Sequence, residues 1–358
     1  MNEMNDLTQL RKEIDRIDSQ ILELLNQRLN TATSIGQIKK ENGIDIFSPD
    51  RENRIIKHLI SQNKGLFSNK ALSAIFSEII SASRNTAFLE KIAYLGPEAT
   101  FTHLVAKNKF GSSSEYLSLD SIEEVFAKVE KREANYGVVP IENSNEGVIT
   151  NTLDMFIDSD LKICAEIYQE ISHCLLSQVK SIKEIKKVYS HSQAFAQTKN
   201  WLNSNLYWAE KIITSSTAKA AEIASQDNTC AAIASTIAAN IYNLNILDKD
   251  IEDHLRNYTR FLVIGHTLCA PTDHDKTSTL FSIKDKPGTL HSSLKPFSKY
   301  NINLTKIESR PSKQEMWKYL FFVDLQGHVD DQKIKKALSE LEKNCLIFKV
   351  LGSYPIGN

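Results

Sequence analysis

Two shortages limit what this chain can be: it has few cysteines and no long hydrophobic run. Cys164, Cys174, Cys230, Cys269 and Cys345 are odd in number, widely scattered and never in a C-x-x-C pair. That spacing excludes a disulfide framework, a zinc site and a redox motif. No uninterrupted apolar stretch approaches the roughly 20 residues that a membrane span requires. The start, Met-Asn-Glu-Met-Asn-Asp, is polar and acidic, without the basic flank and apolar core of a secretory signal. A net charge of -1 offers no whole-molecule attraction to nucleic acid or to an anionic membrane. A cytoplasmic protein that reads a small ligand through local clusters is expected. Low-complexity segments and repeats are also lacking.

What is present is an ordinary globular composition, 41% hydrophobic and 24% charged over 358 residues. That length suggests two or three domains, and the apolar pattern changes rhythm twice. From Leu7 the apolar residues fall at Leu7, Leu10, Ile14, Ile17, Ile21 and Leu24, a helical seam of coiled-coil type. No proline interrupts the run to Lys40, so one helix about 50 Å long is expected. Asn42-Gly43 supplies a stop, and Ser48-Pro49-Asp50 restarts a helix with a cap and a first-turn proline. A third helical stretch covers 69–89. Residues 1–90 cannot bury that seam alone, so a second copy of the chain is expected to cover it.

From Lys91 short apolar runs (92–95, 136–139, 231–233, 261–264) alternate with helical stretches, as in an α/β layer structure with mostly parallel strands. Residues 268–276 read as a linker around Pro271-Thr272-Asp273. The rest, 277–358, scans as strand 279–284, helix 288–299, strands 302–309 and 317–325, helix 331–343 and strand 346–353. This is the βαββαβ order of a ferredoxin-like unit.

Candidate chemistry lies in three places. On the first helix, Arg28 falls where the seam would continue, and a cation there costs desolvation unless an anion meets it. Lys39, eleven residues on, returns to within about 20° of the same face. Arg11 lies about 25 Å back along that helix and could join them only from another chain. In the middle segment each expected strand ends in a polar cluster, where open α/β sheets bind ligands. The clusters are 96–103 with Thr100, Glu142-Asn143-Ser144, Ser190-His191 with Gln197, Ser216-Thr217, and Asn257 to Phe261 with Thr259-Arg260. Any one could be an N-cap or a turn, but five exceed what capping needs. Helix-start amides plus Arg260 would suit a small dianion. In the last segment Gly288-Thr289-Leu290 opens a helix and Glu308-Ser309-Arg310 closes a strand.

The spacing of Arg11, Arg28, Lys39, Arg51-Glu52 and Ser83 resembles the all-helical chorismate mutases, which are intertwined dimers. The resemblance implies that these residues clamp the carboxylates of chorismate, with one arginine from the partner chain and Lys39 and Glu52 in catalytic positions. Two places depart from that pattern: Ala87 stands where a Gln or Glu is usual, and Ser48 where an acid is common. The middle segment, 91–267, resembles prephenate dehydratase along its length. A periplasmic-binding-protein-like pair of lobes is implied, about 92–168 plus 250–267 and 170–248. Thr259 would be catalytic, with Thr100, Glu142, Asn143, Ser144, Ser190, Gln197, Ser216, Thr217 and Arg260 binding prephenate and with no cofactor. Ala99 and Ser192 replace a common glycine and proline. The tail resembles an ACT regulatory domain, which implies phenylalanine binding at 288–290 and 308–310, with Thr289 in place of a usual alanine. The resemblance therefore implies a bifunctional mutase–dehydratase, at least a homodimer, inhibited by phenylalanine. A dehydratase on a non-catalytic helical dimerisation domain and a ligand-binding sensor are the alternatives.

Overall fold

The computed structural model describes residues 2–42, 49–87, 89–253, 257–272, 274–311 and 319–357, with side chains from Leu7 onward and excluding that of Ala87. Gly43, the Ser48 cap, the Ala87 side chain and Asp273 lie outside this description. The chain divides into two compact units, residues 1–90 with 109–115, and 91–108 with 116–358.

The first unit is built on three helices. Helix α1 (Asn2–Glu41) is uninterrupted and ends on Lys39 and Lys40, which favour the negative end of the helix dipole. Helix α2 (Pro49–Gln62) starts on its proline, whose missing N–H is not needed there. Helix α3 (Asn69–Ala87) packs on both. The expected seam is solvent-facing within one chain: Leu10, Ile14 and Leu24 are 58%, 57% and 62% exposed.

The second unit contains two sheets. Its chain runs β1 (Lys91–Leu95), α4 (Phe101–Phe110), β2 (Glu115–Leu119), α5 (Ile122–Glu130), β3 (Tyr136–Asn143), β4 (Gly147–Val148), α6 (Thr150–Asp158) and β5 (Lys162–Glu170). It then enters the second sheet through β6 (Cys174–Ser177), β7 (Lys187–Ser190), α7 (Ser192–Gln197), α8 (Lys199–Asn205), β8 (Glu210–Ile213), α9 (Thr217–Ala224), β9 (Cys230–Ala234), α10 (Thr236–Ile241) and β10 (Asn245–Asp248). Strand β11 (Tyr258–Gly265) returns to the first sheet. The tail follows as β12 (Asp275–Ile283), α11 (Thr289–Lys299), β13 (Leu304–Pro311), β14 (Tyr319–Gln326), α12 (Gln332–Glu342) and β15 (Cys345–Pro355). This is the expected βαββαβ order. The expected linker is shorter than read, because Asp275 and Lys276 already pair with β14 and β15.

The second sheet has the order β10-β6-β9-β7-β8. The first has ten strands, because the sheet of the tail joins that of the first lobe where Gly352 of β15 meets Ile163 of β5. A Cβ at Gly352 would come within 2.4 Å of the Ile163 carbonyl oxygen, so only glycine permits this junction. One core spans it, with Phe126, Phe156 and Leu262 packed in the same cluster as Leu280, Phe322 and Leu351.

The expectation of mostly parallel strands needs correction. Strand β11 arrives from the second sheet and inserts antiparallel between β3 and β5, and β6 pairs antiparallel with both β9 and β10. The crossover through the other sheet reverses the direction in which β11 enters. That insertion sets Thr259 directly opposite Asn143. The register slips by one residue just beyond, at Pro140, which has no N–H to give the ladder.

Candidate active site

A cleft of about 270 Å³ opens in the α/β unit. Its walls include Thr100 and Thr102 at the start of α4, Asn143 at the end of β3, and His173 just before β6. Gln193 and Gln197 of α7, Ser216 and Thr217 at the start of α9, and Asn257 and Thr259 complete it. All five clusters read from the sequence thus reach one cavity. Each does so for the same reason: a strand ends there and a helix or strand begins, leaving backbone N–H groups and short polar side chains unburied.

Strand periodicity sorts the expected residues into two faces. Side chains alternate along a strand, so Thr259 and Asn143 face the cleft while Arg260 and Glu142 face away. Arg260 is not among the residues lining the cleft. It is buried, with Nε on Glu166 at 2.8 Å, an Nη on Asp324 at 2.7 Å and another on the Tyr354 hydroxyl at 3.0 Å. Lys276 shares Glu166 at 2.7 Å. Burial works against the charge of Arg260, but Tyr354, Asp324 and Glu166 outweigh it and hold the guanidinium above its ordinary pKa. Glu142 binds Lys306 of β13 at 2.6 Å instead of lining the cleft.

Two further expected residues already hold hydrogen bonds within the protein. Ser190 is fully buried and gives its hydroxyl to the Ile233 carbonyl at 2.8 Å, tying β7 to β9. Ser144 is exposed and accepts from the Tyr258 N–H at 3.0 Å, which pins the turn after β3. Thr100, Gln197, Ser216 and Thr217 keep their expected place in the cleft wall. The two replacements noted in the sequence have local explanations. Ala99 sits at φ 69, in the left-handed region that favours glycine, and donates its N–H to His103 Nδ1. Ser192 opens α7, the position at which proline is favoured.

At the centre, Asn143 Oδ1 accepts from the backbone N–H groups of Asn145 (2.9 Å) and Glu146 (3.2 Å). Its Nδ2 must therefore be the end that meets Thr259 Oγ1 at 2.8 Å. With one Thr259 lone pair occupied by this donor, the threonine hydrogen is left for an acceptor elsewhere, and the residue lines the cleft. Asn257 and His173 were not singled out as site residues from the sequence. Asn257 was visible as the head of its cluster, whereas His173, inside the apolar run Ile171 to Leu176, carried no signal. Burial holds the His173 pKa below its ordinary value, against a hydrogen bond to Gln197 and the charge of Glu252. No lysine or arginine is among the described cleft residues, and the starts of α4 and α9 add positive potential there.

In the helical unit, Arg28 donates to Ser83 Oγ at 2.6 Å, joining α1 to α3. Burial lowers the Arg28 pKa. Glu52 is ion-paired with Arg84, a residue the spacing did not single out, and Arg84 also binds buried Glu90 at 3.1 Å. Glu90 is therefore committed to Arg84, and burial raises its pKa while Arg84 opposes that rise. Lys39 is half-buried, and Arg11 and Arg51 are exposed. In the tail, Gly288 caps α11 at φ 80, Thr289 bonds back to the Lys286 carbonyl, and Glu308 and Arg310 share a face of β13, with Ser309 on the other. Arg310 reaches Asp154 of α6 at 3.2 Å.

Two sheets that bring their strand ends to one polar cleft, followed by a βαββαβ tail, define a two-lobed α/β enzyme with an appended sensory-type domain. Residues 10–87 match the chorismate mutase type II family, residues 92–268 match prephenate dehydratase, and residues 277–343 match the ACT domain. A bifunctional chorismate mutase/prephenate dehydratase of Aquifex aeolicus is 50% identical over 98% of both chains. Among solved structures, a protein described as a novel type of quorum quenching acylase has a TM-score of 0.69 at 25% identity, covering 75% of this chain and 98% of that one. A prephenate dehydratase of Arthrobacter aurescens in complex with L-Phe has a TM-score of 0.68 at 31% identity, covering 74% and 89%. Fold likeness alone therefore spans two chemistries, and the full-length relative decides between them. The chain belongs to the family of bifunctional chorismate mutase/prephenate dehydratases.

Proposed function

We propose that this chain converts chorismate to prephenate in its helical unit and prephenate to phenylpyruvate, carbon dioxide and water in its α/β cleft, with phenylalanine as feedback inhibitor. The dehydration needs little from the protein. The departing carboxylate leaves its bonding pair to complete the aromatic ring, and the ring hydroxyl leaves with its own pair and must gain a proton. The single observation that carries the assignment is the donor from Asn143 to Thr259, which occupies one lone pair of a cleft-lining hydroxyl and leaves its hydrogen available to a substrate acceptor. A threonine hydroxyl is a weak acid, so it relays a proton to the leaving hydroxyl and recovers it from solvent. Backbone N–H groups at the starts of α4 and α9, with Thr100, Ser216 and Thr217, hold the carboxylates.

For the mutase, Arg28 and Ser83 form the half of the site that one chain builds, with Lys39, Arg51 and Glu52 on the same unit. Arg11 of a second copy completes it, and the exposed seam of α1 is the surface on which that copy packs. The clamp works electrostatically, by holding a compact conformer and stabilising charge on the breaking ether oxygen. Phenylalanine binds the tail through 288–290 and 308–310. The free thiols of Cys174, Cys230 and Cys345 suit a reducing cytoplasm.

The test is to give pure protein chorismate, then prephenate, and to follow phenylpyruvate by its ultraviolet absorbance. Both substrates are expected to yield it, more slowly with L-phenylalanine present. No product from prephenate would overturn the dehydratase reading. Product from prephenate alone would leave the helical unit as a dimerisation domain.

A further inference from the structure

The hydrogen bonds in the cleft have a direction, and it can be followed from one end to the other. Asn143 cannot turn over, because its Oδ1 is held by two backbone N–H groups. Its Nδ2 therefore also donates to Asn257 Oδ1, at 2.8 Å. That leaves Asn257 Nδ2 as a donor, which it gives to Gln197 Oε1 at 3.1 Å. Gln197 Oε1 is then an acceptor for its second neighbour as well, His173 Nε2 at 2.7 Å. The imidazole must carry its hydrogen on Nε2, since a bare nitrogen facing an amide oxygen would set two acceptors together. His173 Nδ1 is left as a buried lone pair with no hydrogen-bond partner among the described residues.

Both ends of the chain are thus fixed, one by backbone and one by His173. The consequence falls on Gln197. With two donors on its oxygen, its amide NH2 is the end left for the cleft that Gln197 lines. We propose that His173 is a positioning residue for prephenate binding, whose Nε2–H clamps the Gln197 amide so that its NH2 is presented to an acceptor oxygen of the substrate. The inference rests on the reading of this cleft as the dehydratase site.

His173 is itself well held. Its backbone N–H donates to Glu252 at 2.9 Å, its carbonyl accepts from Ile251, and its ring meets the Phe101 ring edge-on at 5.9 Å. Burial pushes the ring's pKa below its ordinary value, and adding a proton at Nδ1 would not disturb the bond from Nε2.

A glutamine at this position can place an amide N–H near Nε2, whereas phenylalanine keeps the ring against Phe101 and removes the donor. His173→Phe is expected to raise the KM for prephenate roughly tenfold, the loss of one hydrogen bond to a charged group, with kcat changed less than about threefold. His173→Gln is expected to restore KM to within about twofold. Gln197→Met should match His173→Phe, and the double variant should add nothing further. An unchanged KM in His173→Phe, a rise that His173→Gln does not rescue, or additive effects in the double variant would each overturn the proposal. Mutase activity and circular dichroism of each variant report folding, and the Gln rescue decides if His173→Phe is poorly folded. A parallel Thr259→Ala measurement separates the two ideas: normal turnover there sinks the underlying site, whereas lost turnover with indifferent His173 variants sinks only this one.

Discussion

In the α/β cleft, Thr259, Asn143, Asn257, Gln197 and His173 are joined by hydrogen bonds within one chain. Along α1 the apolar seam from Leu7 to Leu24 faces solvent, and Arg11 lies far along the same helix from Arg28. One region closes its hydrogen-bonded cluster within a single chain, and the other leaves an apolar surface exposed, which on the proposed reading a second copy covers. Folding a single chain can fix a hydrogen-bonded cluster because every partner is already tethered. A long helix cannot bring its own two ends together, so it can complete a site only with a second helix.

The largest expected effect tests the single-chain side of this contrast. Thr259→Ala should lower dehydratase kcat by about 10²–10⁴-fold, the range for a lost proton-transfer group, with the conversion of chorismate to prephenate unchanged; equal losses in both activities would break the separation. Next is Arg260→Ala, which leaves Asp324 buried without its cation and Glu166 with Lys276 alone. Denaturant unfolding should show a loss of about 3–5 kcal/mol, while the KM for prephenate of the folded protein stays near wild type. A large KM change with little loss of stability would return Arg260 to the substrate. On the side of the exposed seam, Ile14→Asp with Ile17→Asp should split the oligomer in sedimentation and cut mutase activity roughly a hundredfold, by removing the partner's cation. Dehydratase activity should persist, and an unchanged sedimentation coefficient would refute the role given to the seam. The smallest effect is expected from Glu142→Gln. Its pair with Lys306 is partly exposed and worth about 1 kcal/mol or less, so kcat should change by less than about threefold. A hundredfold loss would mean that Glu142 swings into the cleft.

Much of the fold was legible. The seam, the change of rhythm at Lys91 and the βαββαβ order of the tail all rest on periodicity, which is local and survives without knowledge of partners. The cleft was legible as a set of clusters, because polar residues at strand ends are also local. Their facing was not. Glu142 and Asn143 are neighbours in sequence and point to opposite sides of one strand, and so do Thr259 and Arg260. Which of each pair meets the cleft depended on the register of β11 against β3. Ser190 reads like a site residue, yet it is spent on a carbonyl 43 positions away, at Ile233. His173 is the opposite case, a polar atom in an apolar run whose partner, Gln197, lies 24 residues on.

By itself the sequence determined the elements, the three segments and the residue types that gather at strand ends, since spacing along the chain dictates those. Tertiary structure alone decided that β11 would enter antiparallel between β3 and β5. It also gave Arg260 to the tail and Thr259 to the cleft, and fixed the direction of the hydrogen bonds from Asn143 to His173. The physical reason is that a hydrogen bond or an ion pair belongs to two groups. Its geometry is set only when segments far apart in sequence are brought within about 3 Å of each other.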